Sequence, residues 1–265
     1  REYQKNGRSS FVPNHLDRGY KDKLWEMKRH HPERPIVYAI QVSPMDEHGY
    51  FSTGIVGMSN RMIVENADII LVEINENMPR TFGNTYIHID EVTHAYQGPN
   101  EMFYMPDRLL TETDKMIGQY VADLIEDGST LQLGIGGIPN AVAAALRDKH
   151  DLGVHTEMLS DSLIGLYKAG IVTNHAKTIY KDKMVTAFSY GSKAAYDFLD
   201  NNPNVLHLEV GHVNDPSVIR QNRKMVSVNT TLQIDLMGQC ASEAIGTLQL
   251  SGTGGQTETA SGARQ

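Results

Sequence analysis

The amino-acid sequence predicts an α/β fold with largely parallel sheets. Runs of strand-forming residues alternate with helical stretches along most of the chain, which is typical of strands joined by helical crossovers. Residues 68–74, DIILVEI, are almost entirely apolar, as strands are when a parallel sheet is covered on both faces. Residues 131–147 run from an apolar strand through a glycine turn into a helix, a unit common in such folds.

The composition is that of an ordinary globular protein. Of the 265 residues, 40% are hydrophobic and 21% are charged, enough for one large core or two smaller ones. No apolar run approaches the roughly 18 residues of a membrane span, and the N-terminal segment lacks a secretory pattern. The single cysteine, Cys240, cannot form an internal disulfide, which fits a reducing compartment. We therefore expect a cytoplasmic protein without a membrane partner.

The charge balance argues against nucleic acid as a partner. Lysine and arginine number 24 against 32 aspartate and glutamate residues, a formal net charge of −8, and the basic run at residues 28–31 is short. The chain begins without a methionine and ends just past a glycine cluster, with no obvious final helix. We therefore expect a fragment of a longer protein.

The first third of the chain predicts five elements and a boundary. In order, they are a surface helix at residues 14–31, a strand at 36–42, a short strand after a turn at Gly49, a helix at 57–66 and a buried strand at 68–74. Periodicity fades from residue 81 to residue 107, where glycine and proline punctuate a polar stretch. The domain boundary is predicted there.

Two groups of polar residues in this region have alternative interpretations. Asp46 and His48 could form a metal pair, but no third ligand stands nearby, so a turn whose side chains bond local backbone is favoured. Asn75, Asn77 and Arg80 follow a predicted strand, so they could line a crevice at its carboxyl end. They could equally belong to a solvated loop.

The rest of the chain continues the alternation. Helices are predicted at residues 112–126, 140–147, 162–168, 192–199 and 216–222, and strands at 131–135, 153–156, 184–190, 205–210, 225–228 and 231–236. Ser160 and Asp161 are the predicted caps of the third of these helices. The tail at residues 251–265 is rich in glycine, serine and threonine, which fits either a frayed end or a close backbone approach.

The stretch 131–161 carries the strongest functional signal. Gly134, Gly136 and Gly137 form a turn before Pro139 opens a helix, and proline suits a first helical turn. Such a turn presents unpaired backbone N–H groups to an anion, aided by the helix dipole. Glu157 ends the next predicted strand, so both features would lie at the carboxyl edge of the sheet.

Several familiar site motifs are missing. GIGGIP has Pro139 where a dinucleotide fingerprint needs its third glycine, and the sequence contains neither a phosphate loop with its lysine nor a GxSxG elbow. Cys240 has no activating context, and the eleven histidines show no metal-binding spacing. We therefore predict no metal and no nucleotide redox cofactor.

Carboxylate chemistry beside glycine amides remains. An ionised glutamate can attack a thioester without a general base and form an anhydride. Preorganised N–H donors can stabilise the tetrahedral oxygen by a few kcal/mol. A glutamate taken alone is more often a surface residue, but its position makes Glu157 the candidate nucleophile.

Five phrases resemble a known family. LQLGIGGIPNAV, LGVHTEMLSD, NNP…VNDPSVI, QIDLMGQ and SGTGGQ are similar to those of acyl-CoA:carboxylate CoA-transferases of the acetyl-CoA hydrolase/transferase family. The family includes 4-hydroxybutyrate and butyryl-CoA:acetate CoA-transferases, and VSPMDEHGYFS and ILVEINENMPR resemble its first domain. The resemblance implies two CoA-transferase-type α/β domains, the first incomplete: residues 1–98 as its rear part, and 107–265 as the C-terminal domain with the catalytic glutamate.

The resemblance also implies a set of site residues. Glu157 matches the catalytic glutamate, Asn214 an active-site asparagine, and Gly255 the glycine whose amide faces the thioester oxygen. Contacts with coenzyme A, bound as the acyl-CoA substrate, are implied for Gly134, Gly136, Gly137, Ile138 and Gly254. The expected partners are a short-chain acyl-CoA and a carboxylate such as acetate, and the resemblance implies a homodimer or larger homo-oligomer.

Three alternatives stay open. Glu209 is a rival nucleophile, because its EVG phrase resembles the ExG of a related class of CoA-transferases. The same residues would permit hydrolysis of an acyl-CoA, and a non-catalytic CoA-binding module is also compatible. The tail reads GGQTETASGA where many relatives have an Asp-Phe pair after the glycines, so the acyl preference is open.

Overall fold

The structure, a computed structural model, describes residues 6, 8, 12, 14–106 and 109–264. Its first part contains helices α1 (Leu16–His30) and α2 (Asn60–Val64), a 3-10 helix (Ile89–Glu91), and strands β1 (Val37–Val42), β2 (Tyr50–Ser52), β3 (Ile69–Ile74), β4 (Phe82–Gly83), β5 (Tyr86–His88) and β6 (His94–Gln97).

The second part alternates strands and helices before ending in two small ribbons and a helix. The elements are α3 (Glu112–Asp123), β7 (Thr130–Leu133), α4 (Gly137–Ala145), β8 (Gly153–Leu159), α5 (Asp161–Lys168), β9 (Met184–Ser189), α6 (Lys193–Leu199), β10 (Val205–His207), α7 (Val210–Val213), α8 (Pro216–Ile219), β11 (Met225–Val228), β12 (Gln233–Ile234), β13 (Cys240–Ala241), β14 (Ala244–Ile245), β15 (Leu248–Gln249) and α9 (Gln256–Ala263).

Two parallel sheets organise the protein, which confirms the predicted α/β class. The larger sheet has six strands in the order β11-β7-β8-β9-β10-β4, and every neighbouring pair in it is parallel. The smaller sheet, β1-β3-β6, is also parallel. Among the named strands, antiparallel pairing occurs in the ribbons β2–β5, β12–β13 and β14–β15, and Val56 forms an isolated antiparallel bridge with Phe188. No helix in the described ranges is long and apolar enough to cross a bilayer.

The main core lies around the large sheet and its helices. Leu131 on β7, Val154 on β8, Leu163 on α5 and Leu199 on α6 are all at most 1% exposed and belong to one cluster. Burying a large aliphatic side chain contributes about 1.5–3 kcal/mol, so this cluster fixes the positions of the strand ends. A separate cluster, which includes Val42 and Val72, covers the smaller sheet.

Strand β8 extends further than the sequence predicted. The strand was expected to end at Glu157, but Met158 and Leu159 are buried and pair with Phe188 and Ser189 of β9. On its other side β8 pairs with β7 only at Gly153 and Val154. Glu157 therefore lies within the strand, on a segment that only β9 accompanies.

The two helices that flank β8 begin differently from the prediction. Helix α4 starts at Gly137, before Pro139, because a proline without an N–H fits anywhere in the first turn. Ser160 precedes α5 but caps no backbone N–H, since its hydroxyl lies 2.8 Å from that of Ser162. Asp161 instead accepts hydrogen bonds from the N–H and hydroxyl of Ser192.

Residues 81–107, where the domain boundary was predicted, contain three strands of two to four residues, β4, β5 and β6, too short to create periodicity; Asp107 itself lies outside the described residues. Three other predictions are wrong in detail. The strand expected at 205–210 stops at His207, after which α7 begins. The strand expected at 231–236 is only the two-residue β12 of a ribbon. The tail, expected to lack a helix, forms α9 after its glycines.

Candidate active site

Glu157 is the centre of the site because three separate segments meet at its side chain. The carboxylate accepts a hydrogen bond of 2.6 Å from the side-chain amide of Asn214, which follows α7. The backbone N–H of Gly255, the residue before α9, acts on the same carboxylate. The structure thus brings together the three residues that the sequence marked as catalytic, across 98 residues of chain.

The environment of Glu157 pulls its pKa in both directions. Burial raises the pKa, and the charge of Glu258 raises it further, whereas the hydrogen bonds from Asn214 and Gly255 lower it. Burial is the largest effect, so the net pKa lies above the ordinary glutamate value. Burial removes water from the carboxylate, and its ionised form is the one suited to nucleophilic attack.

Asn214 is buried, and contacts with protein atoms fix its position. It is 0% exposed, and its backbone N–H donates to the carbonyl oxygen of Val210 at 2.9 Å. Its Oδ1 atom is buried and has no hydrogen-bond partner among the described residues. The single hydrogen bond of its side-chain amide therefore holds the carboxylate of Glu157 in one orientation.

Gly255 is where a side chain would not fit. An added Cβ atom would collide with Oε2 of Glu157 and with Nδ2 of Asn214. The close backbone approach that the tail sequence suggested is therefore confirmed at this glycine. Since only a residue without a side chain lets its N–H approach the carboxylate, Gly255 closes one wall of the site.

A cavity of about 260 Å³ opens onto Glu157. The ends of β7 and β8 form its floor, and residues 229–230, 242–243 and 251–256 form its walls. Gly134 and Gly254 line this cavity, whereas Gly136, Gly137 and Ile138 do not. The structure therefore groups two of the five predicted CoA contacts with the candidate nucleophile and leaves three outside the cavity lining.

The glycine turn offers fewer free amides than the sequence suggested. The N–H of Gly134 donates to the carbonyl oxygen of Val228 at 2.9 Å, which continues the pairing of β7 with β11. Gly136 has a φ of 120°, and it turns the chain into α4. The N–H groups at the start of α4 belong to Gly137 and Ile138, so an anion would meet these rather than Gly134.

A buried polar network supports the cavity floor. Gln132 on β7 accepts from the hydroxyl of Ser227 at 2.6 Å and from the amide of Asn229 at 3.0 Å. Asn229 also donates to the hydroxyl of Thr259 on α9 at 3.3 Å, and the hydroxyl of Ser227 lies 3.1 Å from that same hydroxyl. This network joins two strands to the helix that follows Gly255, and it fixes the position of that glycine.

Glu209, the rival nucleophile, has a structural role. Its carboxylate accepts from the backbone N–H of Met62 at 3.0 Å, at the start of α2, and its own N–H donates to the side chain of Asn84. It precedes α7 and caps none of that helix's N–H groups with its side chain. Its carboxylate is therefore occupied in joining two parts of the chain.

The polar residues of the first part also bond to protein atoms. Asp46 accepts from the backbone N–H groups of His48 and Tyr50 and pairs with Arg80 at 3.1 Å, so the turn interpretation is confirmed for Asp46. Asn75 is fully buried and donates to the carbonyl oxygen of Glu101, and Asn77 donates to that of Asn100. The loop after β3 is thus held by hydrogen bonds to residues 100–101, and its residues do not line the cavity at Glu157.

Sequence reasoning missed the pair formed by Glu258 and His15. Glu258 lies in the first turn of α9 and its Oε1 atom is 2.5 Å from Nδ1 of His15, which precedes α1. The pair joins residues 243 positions apart, so no local pattern could reveal it. The position of Glu258 one turn after Gly255 is the available signal, and its charge is one of the influences that raise the pKa of Glu157. In the described ranges no three His, Cys, Asp or Glu residues are placed to hold a metal ion.

Comparison with known families gives two matches along the chain. The N-terminal domain of acetyl-CoA hydrolase/transferase matches residues 1–106, and the C-terminal domain of the same family matches residues 191–265. Together these matches cover more than half of the sequence.

Individual relatives agree with the family matches. The chain is 44% identical over 227 residues to 4-hydroxybutyrate coenzyme A transferase of Clostridium kluyveri, covering 86% of this chain and 53% of that protein. It is 41% identical over 261 residues to succinyl-CoA:cyclohexane-1-carboxylate CoA transferase of Geobacter metallireducens, covering 97% and 58%. RipA from Yersinia pestis has a similar structure, with a TM-score of 0.89 at 36% identity over 99% of this chain and 59% of that chain. The chain spans little more than half of each relative.

Proposed function

Since the chain belongs to the acetyl-CoA hydrolase/transferase family, we propose that it is a CoA-transferase that moves CoA between a short-chain acyl-CoA and a carboxylate such as acetate. The observation that carries this proposal is the meeting of a carboxylate, Glu157, with two N–H donors, from Asn214 and Gly255. A nucleophile held beside preorganised donors is what acyl transfer from a thioester requires.

The first half-reaction uses Glu157 as the nucleophile. Its carboxylate oxygen bonds to the acyl carbon of the thioester, the carbon–sulfur bond breaks, and CoA leaves as a thiolate. The N–H of Gly255 stabilises the oxyanion that forms on the thioester oxygen, and Asn214 orients the attacking carboxylate. The product of this step is a mixed anhydride between Glu157 and the acyl group.

The second half of the cycle exchanges the acyl group for CoA. The thiolate attacks the carbonyl carbon of Glu157, the bond to the bridging oxygen breaks, and the original acyl group leaves as its carboxylate. Glu157 now carries CoA as a thioester. An acceptor carboxylate then takes the CoA through the reverse steps, so the reaction is ping-pong.

Coenzyme A would lie against the glycine-rich segments on either side of the cavity. Gly134 and Gly254 line that cavity beside Glu157, which supports contacts with the thioester end. Gly136, Gly137 and Ile138 form the turn and first residues of α4, where N–H groups are available for a more distant part of CoA. Butyryl-, 4-hydroxybutyryl- and acetyl-CoA are the proposed acyl donors.

We also propose how the chain is organised. Residues 1–98 would form part of an N-terminal CoA-transferase domain and residues 107–265 the C-terminal one. The smaller sheet lies within the first range, and five of the six strands of the larger sheet lie within the second. A cytoplasmic location fits the single exposed Cys240, and a homo-oligomer is proposed for the assembly. Sedimentation analysis would test the latter.

Intact mass spectrometry tests the chemistry. The protein and its Glu157→Gln variant are incubated with butyryl-CoA, and any borohydride-sensitive adduct is mapped to a peptide. The expected result is a CoA-sized addition on the Glu157 peptide that is missing from the variant. An adduct on Glu209 would move the nucleophile, and binding of butyryl-CoA without any adduct would favour a non-catalytic module.

A second assay separates transfer from hydrolysis. Thioester exchange from butyryl-CoA is followed with and without acetate, with acetyl-CoA and free CoA measured as separate products. A transferase forms acetyl-CoA in proportion to acetate, because acetate must accept CoA from Glu157. Release of free CoA at a rate independent of acetate would identify a hydrolase.

A further inference from the structure

A short stretch of the first part of the chain lies between the two segments that carry the donors to Glu157. Leu16, the first residue of α1, packs against a buried cluster that includes both valines of α7, the helix that Asn214 follows. Residues 14 and 15 contact the segment around Gly255. The same stretch of chain therefore contacts both donor-bearing segments.

Two hydrogen bonds join this stretch to the chain on either side of Gly255. The hydroxyl of Thr253 donates to the carbonyl oxygen of Asn14 at 2.6 Å. The Nδ1 atom of His15 lies 2.5 Å from Oε1 of Glu258, and an ionised carboxylate can only accept, so Nδ1 is the donor. Thr253 precedes Gly255 by two residues and Glu258 follows it by three, so the glycine is held from both sides.

The first turn of α9 transmits the contact at Glu258 to Gly255. Gly255 is the residue before this helix, and its carbonyl oxygen accepts from the N–H of Thr259 at 2.9 Å, which closes the turn. Glu258 lies within that turn and is only 6% exposed. Since a hydrogen-bonded turn moves as a unit, a contact that fixes Glu258 also fixes the direction of the Gly255 N–H.

The contact between His15 and Glu258 is not explained by the needs of either helix. The side chain of His15 precedes α1 but caps none of the N–H groups of that helix. A glutamate in a first turn is favoured by the helix dipole, but an exposed carboxylate has the same benefit without losing its hydration. Oε2 of Glu258 has no hydrogen-bond partner among the described residues, so the bond to His15 is what compensates the burial of this carboxylate.

We propose that His15 is a positioning residue that acts through Glu258 to hold the N–H of Gly255 at the cavity beside Glu157. This inference rests on the proposed function, since it concerns the amide that stabilises the oxyanion. The other hydrogen bonds of α9 remain when the contact is lost. The expected effect is therefore a misplaced amide rather than an unfolded helix, and a small misplacement near a reacting group lowers the rate strongly.

The His15→Ala variant removes the contact at a side chain that is 54% exposed, so the fold is expected to survive. The rate constant of adduct formation on Glu157 and the half-saturating concentration of butyryl-CoA are measured separately. The rate constant should fall about tenfold or more. The half-saturating concentration should change by less than about twofold, because an interaction made only in the transition state is lost.

Two further variants separate positioning from a merely structural role. His15→Asn can place its amide nitrogen near the position of Nδ1, so it should recover most of the rate constant. His30→Ala, at the other end of α1, is the matched control and should keep the rate constant of the unmodified protein. A merely structural role would lower the melting temperature of His15→Ala and leave its rate constant in place.

A double-mutant cycle tests whether the effect passes through Glu258. Glu258→Met keeps the length of the side chain and removes the acceptor. If His15 acts through Glu258, His15→Ala should lower the rate constant little further in the Glu258→Met background. Additive effects of the two changes would show that His15 acts by another route, and the inference would be overturned.

Hydrogen exchange followed by mass spectrometry requires no turnover. The peptide that covers residues 253–260 should exchange about fivefold faster or more in His15→Ala than in the unmodified protein, because the first turn of α9 opens more often. The peptide that covers β8 should exchange equally in both proteins. Equal exchange of residues 253–260 in the two proteins would show that His15 does not hold this turn.

Failure of the inference and failure of the proposed function are distinguishable. If the unmodified protein forms the adduct and His15→Ala forms it with the same rate constant, the inference is overturned and the proposed function stands. If the unmodified protein forms no adduct on Glu157, the proposed function fails and the inference fails with it. Slower adduct formation and faster exchange in His15→Ala, with recovery in His15→Asn, support the inference.

Discussion

The Nε2 atom of His155 lies 2.8 Å from the carbonyl oxygen of Val213, the residue before Asn214. His155 and Glu157 are two residues apart on β8, so they point to the same face of the sheet. His155 is 1% exposed, and burial, together with the charge of Lys177, lowers its pKa to about 4. At neutral pH the ring is uncharged and donates its Nε2 proton to the carbonyl. Strand β8 thus carries both Glu157 and His155, and His155 holds the backbone next to Asn214, the hydrogen-bond partner of Glu157.

The His155→Phe variant is expected to lose activity through Asn214. Without the donor, the buried carbonyl of Val213 stays unpaired, which costs about 1–3 kcal/mol of stability. The end of α7 is then released, and the rate of adduct formation on Glu157 should fall at least about tenfold. His155→Gln can place an amide nitrogen near the position of Nε2 and should recover part of the rate. Equal rates in His155→Phe and the unmodified protein would show that the hydrogen bond does not position Asn214.

The Gly255→Ala variant should be nearly inactive while remaining folded. The added methyl group would collide with Glu157 and Asn214, displacing the N–H that the proposed mechanism uses to stabilise the oxyanion. Removing one donor of this kind lowers kcat by about 10²–10³-fold. Gly165→Ala is the matched control, since a Cβ atom there meets nothing within 4 Å and the residue lies in α5, outside the cavity lining. Activity of Gly255→Ala close to that of Gly165→Ala would contradict the role of the amide.

The rate of adduct formation should show an acid limb that belongs to Glu157. Only the ionised carboxylate attacks, and burial raises the pKa of Glu157, so the midpoint should lie above 4.5, the ordinary value for a glutamate. The hydrogen bond from Asn214 lowers the pKa of Glu157. Its loss in Asn214→Ala should therefore raise that pKa and move the midpoint to higher pH. Stopped-flow measurement of CoA release across pH would follow both. A midpoint that moves to lower pH in Asn214→Ala would contradict the assignment.

Local sequence patterns predicted the strands and helices around Glu157 more reliably than they predicted which residues meet there. The strand–turn–helix unit at β7 and α4 was visible because its apolar run, glycines and proline are contiguous in sequence. The extension of β8 beyond Glu157 was not visible, because it depends on pairing of Met158 and Leu159 with β9, which is distant in sequence. Tertiary pairing of this kind overrides local propensity.

The three catalytic candidates show the same division. The position of Glu157 in the sequence suggested a nucleophile, but Asn214 and Gly255 were identified through resemblance, since nothing local distinguishes them from a helix cap and a flexible tail. Their contact with Glu157 depends on how α7 and α9 fold back over the sheet. His15 and Glu258 were missed altogether because both lie in polar surroundings and meet only in the folded chain.

Lys177 supplies a test of the fold that is independent of the site. Its side chain is 3% exposed, and its Nζ atom donates to the carbonyl oxygens of Val154 and Lys183 at 2.8 and 2.7 Å. Burial lowers its pKa to about 7. A neutral amine has two N–H groups, so both of these hydrogen bonds survive the loss of the proton.

The sign of the pH effect follows from the lowered pKa. Between about pH 7 and the ordinary lysine pKa of 10.5, the unfolded chain holds a proton on Lys177 that the folded protein releases, so the free energy of unfolding rises with pH. Chemical denaturation at about pH 7 and about pH 9 should show a gain of about 2 kcal/mol from this group. Lys177→Met keeps the buried stem beside Gly153 and removes the titrating amine. The difference in the free energy of unfolding between the unmodified protein and Lys177→Met should therefore grow as the pH rises. A constant difference would mean that Lys177 keeps its proton in the folded state, with both carbonyl oxygens solvating an ammonium group.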